Sequence, residues 1–186
     1  MKAVFLDRDG VINKPIFDKN RSVYRPPWDI KEVELMPYVI ESLKKLSDTE
    51  YTLFLITNQP DFVKGLVSIN TLKRIKRYIF EILVSNGIML KNHYYCFHHP
   101  DYCMCECRKP SPYFLLQSAK IYNIDLNQSW MIGDRDKDVV CGQRAGTKTI
   151  LIDNINPKEK RESKPSYTCK NIKEATDIIL KIDSYE

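Results

Sequence analysis

Two carboxylates near the start of the chain, Asp7 and Asp9, flank Arg8 and directly precede Gly10. The apolar residues 3–6 before them predict a short strand that is buried on both faces of a parallel sheet. Aspartate and glycine are also turn formers, so this pattern alone would fit a strand-to-loop transition. Paired carboxylates could instead hold a divalent cation, or act as a nucleophile and a general acid.

Three later polar clusters lie next to predicted strands or helices. "ITNQP" contributes Thr57 and Asn58, "CRKPSP" places Lys109 ahead of a predicted helix, and "MIGDRDKDV" contributes Asp134 and Asp138. Taken singly, such residues are more often turn, cap or surface residues. Because the carboxyl ends of parallel strands meet at one edge of a sheet, the clusters together predict a single polar crevice.

The chemistry of such a crevice follows from its charges. Three carboxylates at close range need a cation or shared protons, and oxygen ligands with room for water suit Mg²⁺, which pairs with phosphate. A lysine, a hydroxyl and an amide facing that metal would bind phosphate oxygens. One carboxylate could attack the phosphorus to form an aspartyl-phosphate, and a second could protonate the leaving oxygen and later activate water. The residues predict phosphatase chemistry.

The elements that would position these residues alternate along the chain. Short apolar runs predict strands at Val4–Leu6, Thr52–Ile56, Tyr94–Phe97, Trp130–Ile132 and Thr149–Ile152. Amphipathic stripes predict helices around residues 39–46, 72–83 and 114–122, and a closing helix at about 171–182. This alternation predicts a doubly wound α/β fold, a parallel sheet flanked by helices. Between Asp9 and Thr57 there is room for a flap and one helix but for no large cap domain.

The composition bounds the class of protein. A chain of 186 residues with 43% hydrophobic and 28% charged residues is typical of one soluble globular domain, here residues 1–186. No apolar run is long enough to predict a membrane span, and an early acidic residue argues against a secretory signal, so we expect a cytoplasmic location. The net charge of +5, with a local excess only at Lys158–Lys164, does not predict nucleic-acid binding. We expect a monomer that acts on a small phosphorylated metabolite.

Four of the six cysteines crowd into residues 96–107. Such clustering in a chain without a signal peptide favours a metal site over disulfides, although free buried cysteines remain an alternative. With one histidine, three thiolates form the ligand set of a closed, structural Zn²⁺ site. Such a site would fold the loop that carries Lys109 rather than take part in the chemistry.

The four motifs together resemble a known family. "FLDRDGVIN", "LITNQP", "CRKPSP" and "MIGDRDKDV" are similar, in order, to the motifs of the haloacid dehalogenase (HAD) superfamily of phosphohydrolases, over roughly residues 1–152. The resemblance implies that Asp7 is the nucleophile and Asp9 the general acid and base. It also implies that Mg²⁺ binds the Asp7 carboxylate, the Asp9 backbone carbonyl and Asp134.

The same resemblance implies roles for the residues around the phosphate. Thr57, with help from Asn58, and Lys109 would bind the phosphate group. Asp138 would orient either Lys109 or a water molecule on the metal. Arg108 matches a position that contacts substrate in related enzymes.

The cysteine loop narrows the resemblance within the superfamily. C-x-H followed by C-x-C just before R-K-P is similar to the D,D-heptose 1,7-bisphosphate phosphatases and to the related histidinol-phosphate phosphatases. Alignment on R-K-P assigns as zinc ligands Cys96, His98, Cys105 and Cys107. The alignment leaves Cys103 and His99 unassigned. Cys103 is an alternative zinc ligand because the loop between the two pairs of assigned ligands is short.

Several functions stay open at this point. The resemblance favours hydrolysis of a sugar bisphosphate, foremost D-glycero-D-manno-heptose 1,7-bisphosphate at its 7-phosphate, with histidinol phosphate as the alternative substrate. A polynucleotide 3′-phosphatase, a non-catalytic phospho-acceptor signalling domain and a zinc interaction module explain fewer of the motifs. Residues 13–30 are longer and richer in proline than in the heptose enzymes, which leaves the exact sugar open.

Overall fold

The computed structural model describes residues 1–153 and 162–184. Its strands are β1 (Lys2–Leu6), β2 (Ile16–Asp18), β3 (Val23–Arg25), β4 (Tyr51–Asn58), β5 (Asn92–Cys96), β6 (Trp130–Gly133), β7 (Lys148–Ile152) and β8 (Tyr167–Cys169). Its helices are α1 (Val39–Ser47), α2 (Ile69–Ser85), α3 (Tyr113–Tyr122), α4 (Asp136–Ala145) and α5 (Ile172–Asp183), with a 3₁₀ turn at Ile30–Glu32.

A six-stranded sheet organises the chain, in the order β5-β4-β1-β6-β7-β8. Neighbouring strands of this sheet pair in parallel throughout. The chain first winds outward from β1 through β4 to β5, and then crosses back to β6 and winds the other way. The predicted doubly wound parallel sheet is therefore confirmed, and its winding direction reverses beside β1, where sheets of this kind bind ligands.

Strand β1 explains why its sequence is apolar without alternation. Val4 and Leu6 face one core, which they share with residues of α1, α2 and α5. Ala3 and Phe5 face a second core on the other side of the sheet, with residues of α3 and α4. All four side chains are fully buried, and each large one removed from water contributes roughly 1.5–3 kcal/mol. Helices on both faces thus hold the carboxyl end of β1 in place.

The five predicted strands and the four predicted helical stripes each coincide with an observed element, although the predicted strand Tyr94–Phe97 extends one residue beyond the end of β5. The structure adds α4, β8 and an antiparallel hairpin of β2 and β3, which the sequence did not predict. Between β1 and β4 the chain forms only this hairpin, the 3₁₀ turn and α1, as expected for a chain without a large cap domain.

Three further predictions concern membrane spans, the basic segment near residue 160 and the extent of the domain. No helix within the described ranges is long and apolar enough to cross a membrane. Most of the basic segment Lys158–Lys164 lies outside the described residues. The extent of a single domain over residues 1–186 stays a prediction.

Candidate active site and metal centre

Asp7 directly follows β1 at the reversal point of the sheet. Its backbone N–H donates to the carbonyl of Ile132 in β6, at 2.9 Å, so sheet pairing continues to this residue. The backbone N–H of Arg8 donates to Asp7 Oδ1 at 2.7 Å. The Arg8 carbonyl in turn accepts from the N–H groups of Ile12 and Asn13, at 2.8 and 3.0 Å, which closes a tight loop after the strand. The backbone fixes the direction of the Asp7 carboxylate.

Gly10 lets this loop approach the end of β6. Its φ of +90° lies in the left-handed region, and a Cβ at this position would lie 2.5 Å from the Asp134 carboxyl carbon. A side chain at Gly10 would therefore both strain the backbone and displace Asp134. The glycine after the paired carboxylates is what allows the β1 and β6 carboxylates to come together.

Lys109 is almost fully buried and lies among three oxygens. Its ammonium nitrogen is 2.8 Å from Asp7 Oδ1, 2.7 Å from Asp138 Oδ1 and 2.8 Å from the Ile56 carbonyl oxygen. Burial by itself would lower the pKa of Lys109, but the neighbouring Asp138 and Asp7 carboxylates raise it above its usual range. Burial likewise opposes ionisation of Asp7, yet Lys109 and Lys137 hold the Asp7 pKa below its ordinary value. Asp7 is thus an ionised carboxylate at neutral pH.

Asn58 fixes the backbone of Lys109. Its side-chain amide nitrogen donates to the Lys109 carbonyl at 3.0 Å, and its side-chain oxygen accepts from the Lys109 N–H at 3.1 Å. Both ends of the amide are engaged with the Lys109 backbone, and the expected help of Asn58 in binding the phosphate stays a prediction. In this arrangement Asn58 positions the lysine, and Asp138 orients its ammonium group.

Three carboxylates converge beside Lys109. One oxygen from each of Asp7, Asp134 and Asp138 lies within 4.8 Å of the others. Asp134 is buried, and its Oδ1 has no hydrogen-bond partner among the described residues. Burial, and then the charges of Asp7 and Asp138, raise the Asp134 pKa well above its ordinary value. A buried oxygen without a partner beside two further carboxylates fits a hard divalent cation such as Mg²⁺.

The Asp9 carboxylate is surrounded by donors. The buried Arg8 guanidinium donates to both of its oxygens, at 2.8 and 3.0 Å. The side-chain amides of Asn13 and Gln59 donate at 2.9 and 2.6 Å, and Gln59 also donates to Thr57 Oγ1 at 2.9 Å. Sequence reasoning missed Asn13 and Gln59, although both stand in the quoted motifs. The cue in the sequence was an amide side chain within the same motif, since Asn13 follows Asp9 by four residues and Gln59 follows Thr57 by two.

A cavity of about 350 Å³ opens above these residues, within the size range of small-molecule sites. Asp7, Asp9, Thr57 and Asn58 lie on its wall. Its cationic lining residues are Arg21, Arg25, Lys64, Arg108, Arg135 and Lys137, against four acidic ones. The excess of positive charge suits an anionic ligand. Lys137, which the sequence analysis did not single out, is among the groups that lower the Asp7 pKa.

The cysteine loop brings together the four residues that the motif alignment assigned. One ligand atom from each of Cys96, His98, Cys105 and Cys107 lies within 4.8 Å of the others. The Cys96 and Cys105 sulfurs are 3.8 Å apart. The His98 Nδ1 atom is 3.7 Å from the Cys96 sulfur and 3.4 Å from that of Cys107. Ligands around one tetrahedral zinc lie about 3.8 Å apart between sulfurs and about 3.6 Å apart between sulfur and nitrogen, so the cluster fits Zn²⁺.

The two remaining candidates of this loop lie outside the cluster. Cys103 is directed at the His99 carbonyl, 3.9 Å away, and the His99 ring lies 3.5 Å from an Asp101 carboxylate oxygen. Arg108, the residue after the last cluster member, donates to the His98 carbonyl at 3.1 Å. The loop is thereby connected to the segment that carries Lys109.

Comparison with known proteins gives consistent results. Residues 106–175 match the model of a family described as HAD-hydrolase-like. The chain is 36% identical over 179 residues to a D-glycero-beta-D-manno-heptose-1,7-bisphosphate 7-phosphatase of Helicobacter pylori, covering 96% of this chain and 97% of that one. It is 34% identical over 158 residues to a D-glycero-alpha-D-manno-heptose-1,7-bisphosphate 7-phosphatase of Photorhabdus laumondii, covering 82% of each.

A solved structure is also similar over nearly the whole length. It is the D,D-heptose 1,7-bisphosphate phosphatase from B. bronchiseptica, complexed with magnesium and phosphate. The TM-score is 0.83 at 26% sequence identity, and the match covers 98% of this chain and 99% of that one.

Proposed function

The chain belongs to the HAD-like hydrolase family of these heptose-bisphosphate phosphatases, and from this premise we propose that it removes the 7-phosphate of D-glycero-D-manno-heptose 1,7-bisphosphate. The observation that carries the proposal is the contact of the buried Lys109 with Asp138 and with Asp7, the carboxylate that lines the cavity. Lys109 keeps Asp7 ionised and provides a positive charge beside it, where the phosphate group of the substrate would bind. The nucleophile and a phosphate-binding cation are therefore adjacent.

Asp7 supplies the nucleophile in this proposal. One of its carboxylate oxygens forms a bond to phosphorus while the bond to the sugar oxygen breaks, and an aspartyl-phosphate results. Lys109 and Thr57 bind phosphate oxygens that gain charge as the bonds rearrange. Mg²⁺ would be held by Asp7, Asp134 and the Asp9 backbone carbonyl, where its charge reduces repulsion between carboxylate and phosphate.

Asp9 supplies and removes the proton. In the first half of the reaction its carboxyl group protonates the departing sugar oxygen. In the second half its carboxylate takes a proton from the water that attacks phosphorus, which releases phosphate and restores Asp7. Arg8, Asn13 and Gln59 hold this carboxylate on the cavity wall.

Zn²⁺ is proposed as a structural ion in the cysteine cluster. Three thiolates and one imidazole complete a tetrahedral shell and leave no position for a reacting ligand. Because Arg108 and Lys109 directly follow Cys107, ordering of this loop would fix both residues at the cavity. The zinc would thereby support catalysis without contacting substrate.

Phosphate release from a panel of substrates tests the proposal. The panel contains the alpha and beta anomers of heptose 1,7-bisphosphate, histidinol phosphate and p-nitrophenyl phosphate, with added Mg²⁺. We expect the highest kcat/KM for one heptose bisphosphate anomer, with release of one phosphate per substrate. A higher kcat/KM for histidinol phosphate would replace the proposed substrate. Absence of multiple turnovers on every substrate would contradict an enzyme and favour the phospho-acceptor alternative.

The oligomeric state and the location of the protein are two further predictions. We propose that the protein is a monomer and lies in the cytoplasm, as the sequence indicates.

The polynucleotide 3′-phosphatase alternative is tested by adding a 3′-phosphorylated oligonucleotide to the same panel. We expect no phosphate release from it above that from p-nitrophenyl phosphate.

A further inference from the structure

We propose that Arg21 and Lys64 form a subsite for the second, non-reacting phosphate of the substrate, with Trp28 positioning Arg21. This inference rests on the proposed function, since it names how a bisphosphate would be told from a monophosphate. Both cations line the cavity that contains Asp7 and Asp9. Both are exposed, unlike the buried Lys109 that contacts Asp7.

Trp28 is fixed on the cavity wall by two hydrogen bonds. Its backbone N–H donates to Glu32 Oε2 at 2.7 Å, and its indole Nε1–H donates to Asp61 Oδ2 at 2.8 Å. Asp61 is buried and lies in the loop that follows β4. The segment between β1 and α1, called the flap below, is thereby bonded to the same loop that carries Lys64. A ring held at both its backbone and its indole nitrogen is a rigid support.

Arg25 takes part in this support and is not available to a ligand. Its guanidinium donates to both Glu32 carboxylate oxygens, at 2.7 and 2.9 Å, and lies 4.1 Å from the Trp28 ring centre. The same hydrogen bonds lower the pKa of Glu32 to about 2. Because Glu32 stays ionised at neutral pH, the charge of Arg25 is neutralised within the flap.

Arg21 differs from Arg25 in its partners. Its guanidinium lies 5.3 Å from the Trp28 ring centre, and among the described residues its nearest carboxylate oxygen, Asp18 Oδ2, is 3.9 Å from its Nε. That distance exceeds hydrogen-bond length. The Arg21 side chain is 50% exposed. A guanidinium held over an aromatic ring can still donate its N–H groups to phosphate oxygens.

The proposal assigns the cations of this one cavity to the two ends of a sugar bisphosphate. Asp7 and Asp9 lie on the cavity wall, with the buried Lys109 in contact with Asp7, and the reacting phosphate would bind beside them. Arg21 and Lys64 lie on its exposed lining, where a phosphate on the far end of the sugar would reach solvent. A monophosphate has no group for these cations to bind.

Charge-removing variants test the subsite. Arg21→Gln, Lys64→Gln and the double variant are compared with wild type on heptose 1,7-bisphosphate and on p-nitrophenyl phosphate. Lys73→Gln, which removes an exposed lysine of α2 that does not line the cavity, is the matched control. We expect the double variant to lose at least about tenfold more kcat/KM on the bisphosphate than on p-nitrophenyl phosphate, mainly through KM. Equal losses on both substrates would overturn the proposal.

A binding measurement separates this inference from the proposed function. In an Asp7→Asn background, which does not consume substrate, calorimetry gives the Kd of heptose 1,7-bisphosphate and of inorganic phosphate. We expect the double variant to weaken bisphosphate binding at least tenfold more than phosphate binding, whether or not the wild type hydrolyses the sugar. If the double variant weakens the binding of both ligands equally, or of neither, the proposed subsite is wrong. If discrimination holds but turnover on heptose bisphosphate is absent, only the proposed function fails.

Discussion

Lys109 and Lys137 keep Asp7 ionised, and an uncharged amide at this position could not attack the phosphorus in its place. Asp7→Asn keeps the size of the side chain and one oxygen beside Lys109, so we expect a folded protein. Turnover should fall by several orders of magnitude, as it does when a nucleophile is removed. Phosphate release, with circular dichroism as the fold control, measures both. Turnover close to wild type would show that another group attacks the phosphate.

The role proposed for Asp9 predicts a loss that depends on the leaving group. Asp9→Asn keeps its backbone and a hydrogen-bonding side chain, so Mg²⁺ binding should change little. A sugar alkoxide needs a proton as it departs, whereas p-nitrophenolate leaves without one. We therefore expect a larger loss of kcat on heptose bisphosphate than on p-nitrophenyl phosphate. Equal losses on the two substrates would argue against Asp9 as the acid.

Cys103 and Cys105 are a matched pair within one loop. Cys105 lies in the four-residue cluster, while the Cys103 sulfur points to the His99 carbonyl. Elemental analysis of purified variants should therefore find about one zinc per chain in Cys103→Ser and much less in Cys105→Ser, because a serine hydroxyl is a poor replacement for a thiolate. The reverse result would mean that the ligand set includes the wrong cysteine.

At the scale of elements, two glycines separate backbone strain from crowding at the site. Gly10 and Gly87 both have positive φ, +90° and +78°. A Cβ at Gly10 would overlap the Asp134 carboxyl group, whereas a Cβ at Gly87 meets nothing within 4 Å. Gly87→Ala should cost about 1 kcal/mol of unfolding free energy and leave activity unchanged. Gly10→Ala should cost more stability and at least tenfold in activity, measured by urea unfolding and phosphate release.

The elements that the sequence did not predict lack the signals on which the prediction depended. Helix α4 begins with charged residues, Asp136 to Asp138, and buries small residues such as Gly142 and Ala145, so its apolar stripe is weak. Strand β8 has three residues and two of them are exposed. By contrast, β1 and β4 are buried on both faces and read as continuous apolar runs. Burial on both faces made the central strands predictable, whereas the short β8 and the weak apolar stripe of α4 gave no comparable signal.

The site shows the same division. Acidic residues at strand ends were predictable because their position follows from the sheet. The contact of Asn58 with the Lys109 backbone was not, because the two residues are far apart in the sequence and only the tertiary fold brings them together. Gln59 likewise gains its role through Asp9, fifty residues away in the sequence.

At the scale of the whole molecule, the site depends on segments from both sides of the sheet centre. Asp7 and Asp134 come from β1 and β6, while Lys109 follows the loop that leaves β5. The flap after β1 and the loop after β4 meet through Trp28 and Asp61. The reacting residues are therefore held by the two cores together, since β1 contributes side chains to each.

This shared strand predicts that the chain unfolds as one unit. Leu6→Ala removes volume from the core of α1, α2 and α5, and Phe5→Ala removes it from the core of α3 and α4. Each should lower the unfolding free energy by roughly 2–5 kcal/mol. In both variants, urea transitions followed by far-ultraviolet circular dichroism and by tryptophan fluorescence, to which the buried Trp130 contributes, should shift together. Leu116→Ala, at a 47% exposed position of α3, is the control and should shift neither. Separate transitions in either core variant would contradict a single cooperative domain, because two independent units would leave the unmutated half at its original midpoint.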